Sequence, residues 1–392
     1  MAKVRKRTWR SGGETKSAWI VDYFDQDGVR RQKTFPHKKA ADAYLLQVGH
    51  EIKEGTHIAP AASITVADAA KLWLAACELH GLEPGTLKQY RGHVTHHIVP
   101  LLGLVKLADL STPRIQRFAD ALIGRPMASD STQTISRSMA RKVLTSVKNI
   151  LKEAQRQGQL SKDPARPVSI RASKRGTRKI EAGRDFPSKA EVTTILATVT
   201  GRLRLLVVTA IFTGMRSSEL RGLRWSDVDL DAKVVHVRQR ADAWGTMGPP
   251  KSETGERIIP LTPMVVNALR EWRLACPKGA LDLVFPTATG RPQPHSTIAN
   301  RGWYPLLRKA GIVDAAGKAK YGFHCLRHFF ASMMIESGMP IKRLQAMLGH
   351  ATMAMTTDVY GHLFPDPEGD QQRMAAAEQA LVSARPASVW SR

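Results

Sequence analysis

Strict alternation of apolar and polar positions is confined to the start of the chain. Ala18-Trp-Ile-Val-Asp-Tyr-Phe24 is dense in aromatic and β-branched residues, Asp25-Gln-Asp-Gly28 carries turn chemistry, and Val29 to Phe35 returns with Arg30, Gln32 and Thr34 interleaved. The pattern predicts a β-hairpin over 17–35. The period then changes: Ala40, Ala43, Tyr44, Val48 and Ile52 recur at helical spacing, and Gly55 ends the run. Together these make a small ββα-like unit over 1–60. Arg30, Arg31 and Lys33 would sit on its strand face, either in a DNA groove or simply solvated.

After a short Pro60-Ala-Ala-Ser-Ile64 linker, four helical stretches follow over 66–80, 87–98, 114–123 and 132–156. Thr65, Gly85-Thr86 and Ser111-Thr112-Pro113 serve as start signals, and Gly158 as the stop. No strand pattern interrupts them, so residues 64–170 read as an all-α domain. Residues 171–185 lose apolar periodicity and are crowded with Lys174, Arg175, Arg178 and Lys179, which reads as a basic linker tracking a phosphate backbone or as a solvated one. The rest, 186–392, is mixed α+β and mainly helical. Helices are expected over 188–199, 202–213, 262–274, 297–310, 326–337, 341–348 and 374–382, with strands at 233–240 and 257–261.

Charge narrows the function. The chain has 392 residues, 59 Lys and Arg against 34 Asp and Glu, and a formal net charge of +25. The excess is +5 over 1–60, +8 over 61–172 and +12 over 173–392, so no single basic tail accounts for it. A polyanion touched at several places, above all nucleic acid, is the implied partner. No apolar stretch follows the basic Met1–Trp9 segment, and the longest apolar run, Leu205–Phe212, is too short to span a bilayer. A cytoplasmic protein without membrane contact is therefore expected. Cys77, Cys276 and Cys325 are odd in number and far apart, which suits a reducing compartment and gives no disulfide or zinc framework. His93, His96 and His97 cluster without a matching Cys or carboxylate set, so a solvated or DNA-facing helix is the better reading, and no metal or other cofactor is expected.

Four motifs stand in order in the last segment. Thr213-Gly-Met-Arg216-Ser-Ser-Glu219-Leu places Arg216 at a helix start after Gly214 breaks an apolar helix. Pro250-Lys251-Ser-Glu-Thr-Gly255-Glu-Arg257 puts Lys251 at a hairpin turn. His324-Cys-Leu-Arg327-His328 sets His324 and Arg327 on one helix face. Leu348-Gly-His350 is followed ten positions later by Tyr360.

This ordered set resembles the tyrosine recombinases, in the phage-integrase branch typified by lambda integrase. The resemblance is strong over 186–365, and weaker motifs extend it to the all-α segment as a core-site DNA-binding domain and to 1–60 as an arm-site DNA-binding domain. It implies a catalytic domain at 186–392 that cleaves and rejoins DNA through a 3′-phosphotyrosyl intermediate, to integrate or excise a phage or other mobile element. Arg216 and Arg327 would fork onto the phosphate oxygens, as planar donors that stay cationic can. His350 would donate a further hydrogen bond to the same phosphate. His324 would accept the nucleophile's proton. Lys251 would protonate the departing 5′ oxygen, and Tyr360 would attack. Glu219 would buttress the site or form a plain helix salt bridge. Cys325 fills a slot often held by Asp and takes no role.

The family works as a homo-tetramer on double-stranded DNA, so core sites, arm sites, a DNA-bending protein and an excisionase-like directionality factor are the expected partners. The tail helix at 374–382 would dock on a neighbouring protomer or pack in its own domain. Two alternatives remain open: a type IB-like DNA relaxing enzyme, and a non-catalytic DNA-binding regulator on the same fold. The intact six-residue set argues against the regulator, because binding alone requires none of it.

Overall fold

The computed structural model describes residues 3–12, 14–25, 28–53, 63–127, 130–171, 179–250, 252–364 and 367–383. They fall into two compact units, Met1–Gly176 and Thr177–Arg392. Among the described residues no helix is long and apolar enough to cross a membrane.

The first unit opens with an antiparallel sheet of β1 (Lys3–Ser11), β2 (Glu14–Phe24) and β3 (Arg30–Phe35), in that order, and α1 (Lys38–Lys53) covers one face. Val4, Trp19, Val21, Tyr23 and Phe35 share that face and pack on Ala41, Tyr44, Leu45, Val48 and Ile52 of the helix. The expected hairpin is present as β2 and β3. Strand β1 is an addition, and its sequence hides it: Lys3, Arg5, Lys6, Arg7 and Arg10 give it the composition of a charged tail, while Val4 alone contributes to the core.

Helices α2 (Val66–Leu79), α3 (Pro84–His93), α4 (Val99–Leu102), α5 (Thr112–Leu122) and α6 (Arg137–Arg156) build the rest of the unit. Thr65 caps α2 by accepting from the Asp68 N–H, and Ser136 caps α6 by accepting from that of Met139. Trp73, Ile98, Leu102, Ile115, Phe118, Val143, Val147 and Ile150 make one apolar core. Two details differ from the sequence reading. The helix expected over 87–98 runs through a π-helical turn at Val94–Ile98, which joins α3 to α4. The helix expected to begin at residue 132 begins at Arg137, because β4 (Pro126–Met127) and β5 (Asp130–Thr134) pair as a short ribbon ahead of it. Thr132 and Thr134 are β-branched and Ser136 is a ready cap, so the chain stays extended until the cap.

In the second unit α7 (Lys189–Thr198) starts with a Ser188–Glu191 capping box. The apolar helix α8 (Gly201–Thr213) and the short α9 (Ser217–Gly222) follow. A sheet ordered β10 (Arg257–Pro260), β7 (Val234–Val237), β6 (Val228–Asp229) and a ribbon of β8 (Arg240–Ala241) with β9 (Met247–Gly248) come next. Helices α10 (Pro263–Ala275), α11 (His295–Thr297), α12 (Tyr304–Lys309), α13 (Cys325–Glu336), α14 (Ile341–Leu348), α15 (Met353–Tyr360) and α16 (Pro367–Ser383) complete it. The helix expected over 297–310 is interrupted by a second π-helical turn at Ile298–Trp303. Buried α8 is the axis of this unit: α10 and α13 pack against it, and Leu206, Val207, Ile211, Phe329, Phe330 and Leu344 belong to one core. Helix α16 is longer than expected, and its Met374 and Leu381 stand exposed rather than packed into that core.

Candidate active site

Five of the six expected site residues gather where the ends of α8, α13, α14 and α15 meet, His324 among them, within electrostatic reach of Arg216, Arg327 and His350. Gly214 closes α8 in the left-handed region at φ +60°, and a Cβ there would lie 2.3 Å from the Phe330 ring. Only glycine fits this turn. It reverses the chain so that Arg216 stands at the head of α9. The Arg216 backbone N–H donates to Glu219 Oε2 at 2.8 Å, its Nη1 to Oε1 at 2.8 Å, and its Nη2 to the Gly349 carbonyl at 2.9 Å.

Glu219 is 2% exposed and holds a second cation, Arg257, whose Nη2 and Nη1 donate at 2.7 and 3.2 Å. Arg257 also donates from Nε to the Met347 carbonyl at 2.6 Å and from Nη1 to that of Gly255 at 2.8 Å. Burial pushes the Glu219 carboxyl up, but the hydrogen bond and charge of Arg257, then the charge of Arg216, outweigh it and hold the group below its usual range. Sequence reasoning assigned Arg257 no role. The signal was available: a carboxylate in a buried helical turn with one arginine still has acceptor capacity, and an arginine opens the strand after the Lys251 turn.

Arg327, on α13 and 3% exposed, donates Nη1 to the Gly214 carbonyl at 2.8 Å and Nη2 to that of Leu348 at 2.5 Å. Burial, then facing Arg216, lower it to about 9, which leaves it cationic at neutral pH. His350 follows Gly349, which ends α14 in the left-handed region at φ +63°. Its Nδ1 lies 2.9 Å from Thr356 Oγ1, and Gln345 Nε2 donates to its carbonyl at 3.0 Å. Burial, then Arg327, Arg216 and Arg257, pull His350 down to about 4, so the ring is neutral at pH 7.

Tyr360 ends α15 and is 2% exposed. Burial raises its phenol to about 12, against the opposing pull of Arg327. Its Oη lies 2.7 Å from Nδ1 of His328, a residue to which the sequence reading gave no role. His324 precedes α13 and is exposed as a residue. Desolvation about its ring, then the neighbouring His328 and the cations Arg327 and Arg216, still lower it to about 4. Among the described residues it makes no hydrogen bond to Tyr360, and its ring stands edge-on to that of His328 with centroids 5.2 Å apart.

Lys251 lies outside the described residues, as do Lys174, Arg175 and Arg178. Beyond Lys251, Glu253–Gly255 form a short 3-10 turn that leads into β10. Lys179 is exposed, and its carbonyl accepts from Arg184 Nη2. In the first unit the pleat puts Arg31 and Lys33 on the face that carries Phe35 and Arg30 on the opposite one. Arg30 pairs with buried Asp22, Arg31 bonds Asp25 at 2.8 Å, and the Lys33 ammonium sits 4.4 Å over the Tyr44 ring. The sequence reading treated all three as one open basic face; the pleat turns Arg30 away from the other two, and each of the three has a partner of its own. Among the described residues no three metal-ligating side chains converge, and His93 Nδ1 is 2.8 Å from Ser146 Oγ.

Residues 186–366 match the family model described as the phage integrase family, and residues 65–123 match the SAM-like N-terminal domain of phage integrases. Residues 186–366 are a phage integrase family domain. A XerC-like tyrosine recombinase of Caldanaerobacter subterraneus subsp. tengcongensis is 26% identical over 91% of this chain and 94% of that protein. An integrase of Streptomyces ambofaciens is 28% identical over 92% and 94%. Among solved structures, the Tn1549 transposon integrase in complex with transposon right end DNA aligns with TM-score 0.62 at 19% identity, over 81% of this chain and all of that one. A lambda integrase dimer bound to a core site aligns with TM-score 0.56 at 18% identity, over 89% and 93%. At these identities the structures establish the shared fold, a multidomain one with a mainly helical catalytic domain.

Proposed function

We propose that the chain is a site-specific DNA recombinase in which Tyr360 is the nucleophile. The observation that carries this is the convergence of Arg216, Arg327 and His350 on two glycine turns, Gly214 and Gly349, with buried Tyr360 close enough to Arg327 to feel its charge. A phosphodiester is anionic and slow to react, so its cleavage needs cationic donors at the non-bridging oxygens and a nucleophile in line with the leaving group. Arg216 and Arg327 retain donors beyond those used on carbonyls, each guanidinium having five N–H bonds. His350 is neutral, and with Thr356 donating to Nδ1 its Nε2–H is available to the phosphate.

Attack by Tyr360 Oη on phosphorus would break the bond to the 5′ oxygen, with Lys251 as the proton donor. A 3′-phosphotyrosyl link and a free 5′ hydroxyl result. The link conserves the bond energy, so a second DNA end rejoins without a cofactor. Glu219 holds Arg216 rather than touching DNA.

The reading extends to a homo-tetramer on two duplexes, supported by the exposed α16, which offers Met374 and Leu381 to a neighbouring protomer. Its setting is the bacterial cytoplasm, and its reaction integrates or excises a mobile element. The domain scheme carried forward is an arm-site unit at 1–60, a core-site unit at 64–170, a basic linker at 171–185 and a catalytic domain at 186–392. A DNA-bending protein and a directionality factor belong to the same proposal. A type IB-like relaxing enzyme, the alternative, would need neither an arm-binding module nor sequence-specific pairing.

The test is covalent trapping. Nicked fragments of the source organism's DNA, which let the cleaved 5′ end diffuse away, are incubated with wild type and with Tyr360→Phe, and denatured adducts are sequenced. Adducts at one site from wild type alone support the reading. Tight binding with no adduct from either protein overturns it in favour of a regulator.

A further inference from the structure

Helix α15 carries two adjacent threonines whose hydroxyls are spent differently. Thr357 Oγ1 lies 3.3 and 3.2 Å from the carbonyls of Met353 and Ala354, the bond to its own helix that an exposed threonine ordinarily makes. Thr356 is fully buried and reaches off its helix: Oγ1 lies 2.9 Å from Nδ1 of His350, in the turn that joins α14 to α15. A buried hydroxyl has one hydrogen and must place it on an acceptor. Among the described residues Nδ1 is the acceptor within reach, so Thr356 donates and Nδ1 is bare. The proton of the neutral imidazole is then on Nε2.

The backbone of His350 is pinned separately. Its N–H donates to the Gln345 carbonyl at 3.2 Å, and its own carbonyl accepts from Gln345 Nε2 at 3.0 Å. Those bonds fix where the side chain starts and leave the ring's rotation and tautomer open. Among the described residues, the bond from Thr356 is the one that reaches the ring.

We propose that Thr356 is the positioning residue for His350, turning its ring and fixing its tautomer so that Nε2–H faces the scissile phosphate. This rests on the recombinase reading and deepens it. The Nε2–H shares its hydrogen with a non-bridging oxygen and keeps it, so no proton is transferred at this position. In the other tautomer a bare Nε2 would meet the phosphate oxygen, lone pair against lone pair, and His350 would repel the group it is placed to hold. Arg327, Arg216, Arg257 and His324 all act on the ring. Beside these cations a neutral donor adds a hydrogen bond without adding to their mutual repulsion. Thr356 also stands four residues before Tyr360 on α15, one turn away on the same side. The helix that delivers the nucleophile therefore also sets the phosphate donor, and the two are gained or lost together.

The experiment uses full-length protein and the nicked duplexes recovered by wild-type trapping. Thr356→Val keeps the shape and removes the donor; Thr356→Ser keeps the donor. Single-turnover adduct formation, duplex binding and thermal unfolding are measured for each. Nitrogen NMR on protein labelled with ¹⁵N-histidine reads the tautomer, the His350 signals being assigned by their loss in His350→Asn. We expect the proton on Nε2 in wild type and in Thr356→Ser, and mixed tautomers in Thr356→Val. Thr356→Val should bind the duplex normally and form adduct about 10²-fold more slowly, and Thr356→Ser should recover most of that rate. In a His350→Ala background Thr356→Val should cost nothing further, which a merely structural defect would not show. The proposal is overturned if wild-type His350 carries its proton on Nδ1, or if Thr356→Val cleaves at the wild-type rate. It is equally overturned if the cost of Thr356→Val persists undiminished without the His350 ring. If wild type forms no adduct at all, the recombinase reading falls, while the tautomer in the free protein still decides whether Thr356 holds the ring.

Discussion

Glu219 and Arg257 are joined at 2.7 Å with side chains 2% and 5% exposed, a buried ion pair that ties the first turn of α9 to the start of β10. Arg216 shares the same carboxylate at 2.8 Å. Two cations thus depend on one anion in a space with little water. Removing the anion leaves them facing each other, which costs about 3–5 kcal/mol where a buried pair is broken. Glu219→Ala should lose stability of that order in a denaturant titration. Glu219→Gln, with shape kept and charge removed, should lose nearly as much.

Arg257 reaches Glu219, the Met347 carbonyl and the Gly255 carbonyl from one planar fork. A lysine has a single ammonium and cannot span them. Arg257→Lys should therefore fold but misplace Arg216 and the Leu348-Gly-His350 turn. Because small misplacements of reacting groups cost about 100-fold in rate, single-turnover cleavage should fall by that order while duplex binding holds. Equal rates for the two proteins would show that Arg257 positions nothing.

The site histidines make stability depend on mild acid. His350 is held at about 4 against an ordinary 6.5, chiefly by burial. In that interval the unfolded chain binds a proton that the folded chain refuses, so stability falls as pH drops from 6.5 toward 4. Exposed His324 adds less than its own lowering suggests, because solvent screens it. Glu219, also lowered, adds a loss at more acidic pH, as the carboxylate is forced to protonate. Urea midpoints between pH 7 and 4 should decline for wild type and decline less for His350→Asn.

Gly214→Ala meets both a left-handed backbone and the Phe330 ring at 2.3 Å. Overpacking of this kind costs about 1–3 kcal/mol. The same turn offers its carbonyl to Arg327, so cleavage should fall along with the melting temperature. Gly311→Ala is a useful comparison: its backbone is also left-handed at φ +72°, but a Cβ there meets nothing within 4 Å. It should lose stability and keep its cleavage rate.

Elements with a strong period were legible from sequence. The capped helices α2, α7 and α8, the β2–β3 hairpin and the α14 boundary all lie within a residue or two of their expected limits, except that β2 starts earlier. What escaped had no apolar period of its own. Strand β1 is held by pairing with β2 rather than by alternation, and the ribbon before α6 is too short to carry a pattern. Within the site, the motifs marked the residues by identity and order. The partner of each side chain was another matter. That Arg257 completes Glu219, and that His328 rather than His324 meets Tyr360, depends on contacts spanning 38 and 32 positions, which no local spacing encodes.

Arg216 and Arg327 also act as girders. Through Gly349, Gly214 and Leu348 they clamp the backbone of α8 and α14 before any DNA arrives. On the recombinase reading, an arginine knock-out is therefore a poor tool for separating binding from cutting, since it would loosen the scaffold together with the chemistry. Tyr360→Phe, which deletes one oxygen and leaves the clamps standing, should on the same reading be the cleaner inactive form for trapping assemblies on DNA.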